Sequence, residues 1–176
     1  MALPKFKKQT IQLVAGKLLL REAAARDMRA LNEIINEPQV NRFVYIPAPV
    51  SLKSGLAHLR ELKKSGANWI VAQLDGKTVG SVEIRPRSAR ESHVAGFGIA
   101  FSTKAQGSGV AGAALDKVFA YAKKSGVKII FASCFEDNKR ARKFYQKMRF
   151  REIAVMKGHL ARGGKYFGSV LIEKRL

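Results

Sequence analysis

A glycine-rich turn between a predicted strand and a predicted helix constrains the fold of this chain more than any other feature. The run His93–Phe101 is β-like, residues 102–112 contain three glycines, and an amphipathic helix pattern continues to Lys124. A second strand is predicted at Val127–Ser133. A strand–helix–strand connection of this kind joins two parallel strands of one sheet. The sequence therefore predicts a mixed sheet built around this crossover.

The turn also has the backbone chemistry of a phosphate-binding site. The first N–H groups of a helix have no intrahelical partner and lie at the positive end of the helix dipole. Glycines before the helix let a ligand approach the main chain closely, so such turns bind phosphate groups. The sequence therefore predicts a cofactor that carries phosphate. The residues predicted to bind it are Gln106, which begins the turn, and Gly107, Ser108, Gly109, Val110 and Ala111.

The same glycines spell a dinucleotide fingerprint. Residues 107–112 read G-x-G-x-x-G, and Glu136 lies near the position at which that fingerprint has an acidic residue. However, five residues, 102–106, separate the strand from the first glycine, and only 64 residues follow Gly112. Both facts disfavour a dinucleotide-binding domain. A P-loop is excluded because no Gly-Lys-Ser/Thr follows the glycines.

Two segments of this region resemble motifs of the GNAT superfamily of acetyl-CoA-dependent N-acetyltransferases. Residues 106–111 read Q-x-x-G-x-A, similar to motif A (Q/R-x-x-G-x-G/A). Residues 138–150 read N-x-x-A-x-x-F-Y-x-x-x-R-F and resemble motif B, which usually has glycine where Arg149 stands. That glycine ends a helix in a left-handed turn, where another residue costs about 1 kcal/mol. The motifs and the strand between them cover about residues 93–157.

The resemblance implies a fold of the α/β (α+β mixed) class. The family has a mixed, mostly antiparallel sheet with helices on both faces, and its two parallel central strands splay apart. We expect a single domain over residues 1–176, long enough to bury a sizeable core. The N-terminal half looks like the branch of the family that contains ribosomal-protein N-terminal acetyltransferases.

Hydrophobic periodicity and turn residues predict the other elements. Residues 10–14 and 17–21 form a hairpin or one bent strand, and a helix over 24–36 is expected to stop at Pro38. Asp75-Gly76 marks a hairpin turn. The remaining predicted helices are 51–64 and 138–148, and the remaining predicted strands are 69–74, 78–85, 150–156 and 167–173.

The resemblance also implies roles for individual residues in acetyl transfer. The backbone amide of Phe101 or Ser102 is expected near the thioester oxygen, where it would stabilise developing negative charge. Tyr145 is expected to protonate the departing thiolate. Asn138 lies on the same helix face as Tyr145 and is expected to point into the cofactor cleft.

The group that takes the proton from the acceptor amine is less closely defined by the sequence. Glu83 lies in the middle of the antiparallel neighbouring strand, whereas Glu91 and His93 lie near the start of the central strand. Any of these three, or a chain of water molecules, would serve as the base. Gly96 and Gly98 in the central strand suit a β-bulge or a close approach of main chain.

The acceptor follows only coarsely from composition and resemblance. We expect a protein N-terminus or a small amine, attacked directly in a ternary complex. Polyamines are disfavoured because the formal net charge of +20 repels polycations. The acceptor walls of such folds are expected at residues 24–64 and 157–168, where the sequence has no interpretable motif.

The positive charge is concentrated in two parts of the chain. Residues 138–176 contain twelve Lys or Arg and two Asp or Glu, and residues 1–21 contain five Lys or Arg and no acidic residue. Such a surface attracts polyanions, so a ribosome or nucleic acid is one predicted partner. Solvation of the surface and attraction of the phosphates of CoA are the alternative. A basic RNA- or ribosome-binding module on a catalytically inactive acetyltransferase fold is therefore the rival function.

Few residues suggest any other chemistry. Cys134 is the single cysteine, which excludes an internal disulfide or a cysteine-rich metal site, and it is predicted to serve packing. His58 and His159 lie outside the motifs and are interpreted as surface residues, and no metal site is predicted. The longest apolar runs are too short for a membrane span, and no secretory signal is evident. We therefore expect a cytoplasmic protein.

Overall fold

An eight-stranded sheet forms the centre of the computed structural model, which describes residues 2–176. Met1, the first residue of the predicted domain, lies outside the described residues. The strands are β1 (Gln9–Leu13), β2 (Gly16–Glu22), β3 (Asn68–Leu74), β4 (Lys77–Pro86), β5 (Val94–Phe101), β6 (Ile129–Phe135), β7 (Arg151–Arg162) and β8 (Lys165–Arg175). The helices are α1 (Met28–Asn36), α2 (Pro38–Asn41), α3 (Leu52–Lys64), α4 (Val110–Lys124) and α5 (Lys139–Lys147).

The strand order in the sheet is β1-β2-β3-β4-β5-β6-β8-β7. Within the described residues, β5 and β6 are the one parallel pair, and every other neighbouring pair is antiparallel. The α4 crossover connects β5 to β6, as the sequence predicts. Their pairing spans only Val94–Gly96 against Ile129–Phe131. Beyond it the two strands separate, so the predicted splay is confirmed.

Helices cover both faces of the sheet, as predicted. Successive strand residues point to opposite faces, and β3 shows the division. Its Ile70 and Ala72 pack in the core beneath α4, whose Leu115 and Val118 are fully buried. Its Trp69 and Val71 pack in a second cluster formed with α1 and α3, in which the helical residues are Met28, Leu31, Leu59 and Leu62.

Alternate residues of β5 direct their main-chain N–H and C=O groups away from β4. The N–H of Ser102 donates to Val79 O at 2.9 Å, one position beyond the Gly80–Phe101 pair. Hydrogen-bonded and non-hydrogen-bonded pairs alternate along antiparallel strands. Phe101, and Ile99 two residues earlier, therefore direct their N–H and C=O groups towards β6. Because β6 has diverged at that level, these groups face a gap.

The other side of the gap follows from the same alternation. The N–H of Glu136 donates to Gly168 O at 2.8 Å, one position beyond the Phe135–Ser169 pair of β6 and β8. Phe135, and Ser133 two residues earlier, therefore direct main-chain groups towards β5. The gap between the splayed strands, formed by the main chain of Ile99, Phe101, Ser133 and Phe135, is called the strand gap below.

Of the two alternatives predicted for the N-terminal strands, the structure shows the hairpin. The first predicted helix ends before Pro38, as expected, but α1 begins at Met28 rather than at residue 24. A short helix that was not predicted, α2, follows it, and Pro38 is its first residue, where its missing N–H costs nothing. The last two strands are longer than predicted, because β7 and β8 continue to a tight hairpin at Gly163-Gly164. No bulge occurs at Gly96 or Gly98 in the β4–β5 register.

Candidate active site

The glycine turn presents free N–H groups at the start of α4. Gly107 and Gly109 have φ values of +82° and +80°, and a Cβ at either position would meet no atom within 4 Å. Ser108 Oγ donates to Ala105 O at 2.6 Å, which braces the turn. Among residues 2–176, the N–H groups of Gly107, Ser108, Gly109 and Ala111 find no acceptor. That of Val110 makes a long contact of 3.4 Å with Ser108 Oγ. An open cradle of main-chain donors results.

Two side chains from distant segments hold this turn in place. Glu37, at the α1–α2 junction, accepts hydrogen bonds from Thr103 N–H at 2.8 Å and Thr103 Oγ1–H at 2.7 Å. Burial raises the pKa of the Glu37 carboxyl, but the bonds from Thr103 and neighbouring groups outweigh burial and lower it overall. On the other side, Arg140 of α5 donates to the Gln106 side chain. Gln106, predicted to begin the turn, therefore links it to α5 and brings a guanidinium beside the cradle.

The two predicted amide donors at the end of β5 are not equivalent. Phe101 directs its N–H into the strand gap, as shown above. The Ser102 N–H is already bonded to Val79 O, and the buried Ser102 hydroxyl accepts from Lys104 N–H at 3.4 Å. Of the two, only the Phe101 amide is available to a ligand in the gap.

Glu83 lies beside the strand gap on the face covered by α1 and α3. It stands opposite Gly98 of β5 and Trp69 of β3. Its Oε1 lies 2.9 Å from His58 Nε2, and its other oxygen accepts from Arg85. Burial raises the pKa of the Glu83 carboxyl, but the His58 hydrogen bond and the Arg85 charge outweigh burial and lower it. Glu83 is therefore an ionised carboxylate next to the gap.

His58 lies at the surface, as interpreted, but it has partners that the sequence did not predict. It is half-buried, bonds Glu83 across 25 residues of sequence, and packs edge-on against Trp69 with ring centroids 5.2 Å apart. His159, by contrast, is exposed on β7. The hydrophobic spacing of α3 predicts the helix, but no local signal in the sequence links His58 to a residue on β4.

The other two predicted bases lie far from the strand gap. Glu91 is exposed and pairs with Arg87. His93 is exposed, and its carbonyl accepts from Lys128 N–H where β6 begins. At about 3.3 Å per residue, the six residues from His93 to Ile99 span about 20 Å. Both residues therefore lie at the end of β5 opposite the gap.

Tyr145 lies on the opposite face of the sheet from Glu83. Its ring is 7% exposed and packs against Phe97 and Phe150, with centroids 5.8 and 5.6 Å away. Burial is the main reason why the pKa of the phenol lies well above its usual range, and the phenol therefore stays protonated at neutral pH. Asn138 is the N-cap of α5, where its Oδ1 accepts from Ala141 N–H at 3.1 Å.

Cys134 is buried on the same face of the sheet as Tyr145. Burial, assisted by the charge of Glu152, raises the pKa of the thiol to about 11. A thiol of this kind is almost entirely protonated at neutral pH and is a poor nucleophile. The position of Cys134 fits the predicted packing role.

An aromatic and basic cluster borders the gap on the Glu83 face, and the sequence did not predict it. The hydroxyl of Tyr45 bonds Ser133 Oγ of β6 at 2.7 Å. Arg162, near the β7–β8 hairpin tip, lies over the Phe167 ring at 4.1 Å and bonds Asp137 at 2.5 Å. The hairpin and the loop after α2 therefore meet beside β6, in the two regions where acceptor walls were expected. Only the long-range pairing brings these segments together.

The described residues contain neither a metal-binding group of side chains nor a helix that could cross a membrane. Residues 2–176 contain no group of three or more His, Cys, Asp or Glu side chains placed to hold a metal ion. None of the helices in that range is both long and apolar enough to cross a membrane.

Comparison with known proteins identifies the family. The family model for the acetyltransferase (GNAT) domain matches residues 17–151. The chain belongs to this family. The family predicted from the two motifs, its fold, its enzyme class and its use of acetyl-CoA as acyl donor are confirmed.

A curated relative and two solved structures support this assignment. The L-amino acid N-acetyltransferase AaaT of Escherichia coli K12 is 29% identical over 155 residues, which covers 86% of this chain and 93% of the relative. A ribosomal-protein-alanine N-acetyltransferase from Brucella melitensis superposes with a TM-score of 0.79 at 21% identity, covering 89% of this chain and 99% of the other. A phosphinothricin acetyltransferase from Sinorhizobium meliloti, solved with acetyl-CoA, has a TM-score of 0.79 at 20% identity, covering 89% and 87%.

Proposed function

We propose that this enzyme transfers the acetyl group of acetyl-CoA to the primary amine of an amino acid or of a protein N-terminus. One observation carries the proposal: an ionised carboxylate, Glu83, lies beside the strand gap on one face of the sheet, and a protonated phenol, Tyr145, lies on the other face. A base and an acid on opposite sides of one opening suit direct attack in a ternary complex. Relatives named for L-amino acids and for a ribosomal-protein alanine support an α-amine acceptor.

The residues at the α4 end of the site fit the acyl donor. The N–H groups of Gly107, Ser108, Gly109 and Ala111 face open space, and Arg140 adds positive charge beside them. Such donors hold a pyrophosphate. Acetyl-CoA supplies the acyl group as a thioester. In the proposal, the Phe101 N–H bonds the oxygen on which negative charge develops.

The proton transfers are assigned to the two residues that flank the gap. The Glu83 carboxylate takes a proton from the acceptor ammonium, because it is ionised and lies on the face that carries the aromatic and basic cluster. Tyr145, which burial keeps protonated at neutral pH, donates its proton to the sulfur as the C–S bond breaks, and the phenolate takes a proton back from solvent once CoA leaves. Asn138 caps the helix that carries Tyr145 and so orients it.

Substitution of these residues tests the proposal. Purified enzyme is incubated with acetyl-CoA and a panel of amino acids, peptides and polyamines, and free thiol is measured. Y145F is expected to lower kcat by about a hundredfold, and E83Q to lower kcat/KM for the amine by a similar factor. Both variants keep the cradle, so calorimetry should give an unchanged affinity for CoA.

C134A is the matched control for these variants. It removes a buried side chain on the Tyr145 face but no proposed proton donor, so turnover should stay within about twofold of wild type. Absence of turnover on every amine, together with absence of CoA binding, would overturn the proposed function. Activity of Y145F equal to wild type would remove Tyr145 from the mechanism.

A basic binding module remains the second candidate, and the exposed face of α5 favours it. Lys139, Arg140, Lys143 and Lys147 are all exposed along this helix. A ribosome- or RNA-binding module would bind RNA with a steep dependence on salt and would be indifferent to Y145F. The two functions are therefore separable with one variant.

A further inference from the structure

His58 and Glu83 form a hydrogen-bonded pair, and the proposed mechanism assigns a role only to Glu83. The imidazole Nε2 lies 2.9 Å from Glu83 Oε1, and the side chains are 37% and 13% exposed. His58 therefore lies between the carboxylate and solvent. The distance is that of a direct hydrogen bond to an acceptor that carries charge.

The imidazole is held firmly by its surroundings. It packs edge-on against Trp69 at an interplanar angle of 70°. The helix that carries it buries Leu59 and Leu62 against the sheet and brings Gly55 close against Asn32 of α1, where a Cβ would lie 2.5 Å from the amide oxygen. The position of His58 is thus set by α3 as a rigid element.

Few charged groups face this carboxylate. Arg85 of β4 bonds the second oxygen, and His58 of α3 bonds the first. The neighbours across the sheet, Trp69 of β3 and Gly98 of β5, carry no titratable group. His58 and Arg85 are therefore the two side chains that hold this carboxylate, one at each oxygen.

We infer that His58 is a positioning residue for Glu83, whose Nε2–H orients the carboxylate beside the strand gap. The inference rests on the proposed function, in which Glu83 is the base.

Two substitutions separate the hydrogen bond of His58 from the packing of its ring. H58Q keeps an N–H donor near the position of Nε2 but has no ring, and H58A removes both. H58A should lower kcat/KM for the amine about ten- to a hundredfold, as expected for loss of one hydrogen bond to a charged group. H58Q should stay within about threefold of wild type, because the donor is restored.

Rescue by the conservative variant provides the readout that a merely structural role would not change. H58A should lose kcat/KM for the amine and H58Q should recover it, although both variants remove the contact of the imidazole ring with Trp69. H93Q, at the exposed histidine at the end of β5 opposite the gap, is the matched control and should keep the wild-type kcat/KM. Equal activity of H58A and wild type, or an H58Q activity as low as that of H58A, would overturn the inference.

A second measurement does not depend on turnover. Nitrogen-15 NMR of the folded enzyme distinguishes the two neutral imidazole tautomers. The inference requires the Nε2–H tautomer at His58 in wild type. The Nδ1–H tautomer in wild type would overturn the role of His58 even if no acceptor were found. Failure of the proposed function would instead appear as absence of turnover in wild type and all variants alike.

Discussion

Arg149 adopts a backbone conformation that favours glycine. Its φ is +62°, in the left-handed region, directly after the last turn of α5. The N–H groups of Arg149 and Phe150 bond Gln146 O and Tyr145 O at 2.9 Å each, so the turn is well formed. Arg149 in place of the usual motif B glycine therefore leaves the turn intact, but its left-handed backbone conformation is energetically unfavourable.

Replacing Arg149 with glycine should stabilise the protein. Relief of the left-handed penalty, about 1–2 kcal/mol, exceeds the entropy that glycine adds to the unfolded chain, so R149G should gain about 0.5–1 kcal/mol. K143G, in the exposed middle of α5, removes the same charge but should lose about 1 kcal/mol. Urea unfolding of both variants measures the difference. A loss of stability in R149G would show that its side chain contributes more than the backbone penalty.

The connection between β2 and α1 depends on one buried ion pair. Asp27 is 4% exposed, and its oxygens accept from Arg21 at 2.6 and 2.7 Å and from Ala24 N–H at 2.8 Å. Burial raises the pKa of the Asp27 carboxyl, but the bonds and charge of Arg21 outweigh burial and lower it. The pair therefore joins the end of β2 to the start of α1, and Glu37 follows the last residue of that helix.

The lowered pKa of Asp27 predicts a pH dependence of stability. Because the folded value lies below the unfolded value of about 3.9, the contribution of Asp27 is complete above that pH and is lost as the pH falls through the folded value. D27N should cost about 3 kcal/mol at pH 7, since it leaves Arg21 without its charge partner. The difference between D27N and wild type should shrink at pH 3.

Urea unfolding at pH 7 and pH 3 tests this expectation. E61Q, which removes one carboxylate from an exposed pair with Lys64, is the control and should change stability by less than about 0.5 kcal/mol at either pH. A D27N penalty that is the same at both pH values would show that the geometry of the pair, rather than its charge, matters.

The net charge of +20 acts on the molecule as a whole. The exposed lysines of α5 lie on the helix whose Arg140 contacts the glycine turn. Positive charge around a phosphate-binding site raises the rate of association with an anionic ligand, and salt screens this effect. The charge asymmetry of the chain therefore favours capture of acetyl-CoA whether or not a polyanionic partner exists.

Salt should consequently slow the association of acetyl-CoA with the enzyme without changing the rate of acetyl transfer. Raising the salt concentration from about 50 to 500 mM should lower kcat/KM for acetyl-CoA by roughly tenfold and leave kcat unchanged. K139Q/K143Q/K147Q should reduce this dependence. K5Q/K7Q/K8Q removes three exposed charges from the N-terminal segment and is the matched control. Equal slopes in both triple variants would show that the local charge of α5 has no special role.

The local patterns were sufficient to name the segments proposed to bind the cofactor. The glycine turn, the α4 crossover and the α5 motif each depend on a few consecutive residues, because left-handed glycines, free helix N–H groups and helical spacing are properties of short segments. Tyr145 and the cradle residues were named from these patterns. The confirmed family and acyl donor follow from the same segments.

The acceptor half depends on contacts between distant segments. Glu83 was one of several candidate bases in the sequence, and the strand register places it beside the gap and His93 at the far end of β5. The link between His58 and Glu83 depends on the packing of α3 over β4. The strand register alone distinguishes the Phe101 amide, which faces the gap, from the Ser102 amide, which does not. The sequence by itself determined the glycine turn and its free N–H groups, since their geometry is local. Only the tertiary structure brings Glu83 beside the gap and His58 against it, because strand pairing and helix packing join distant segments.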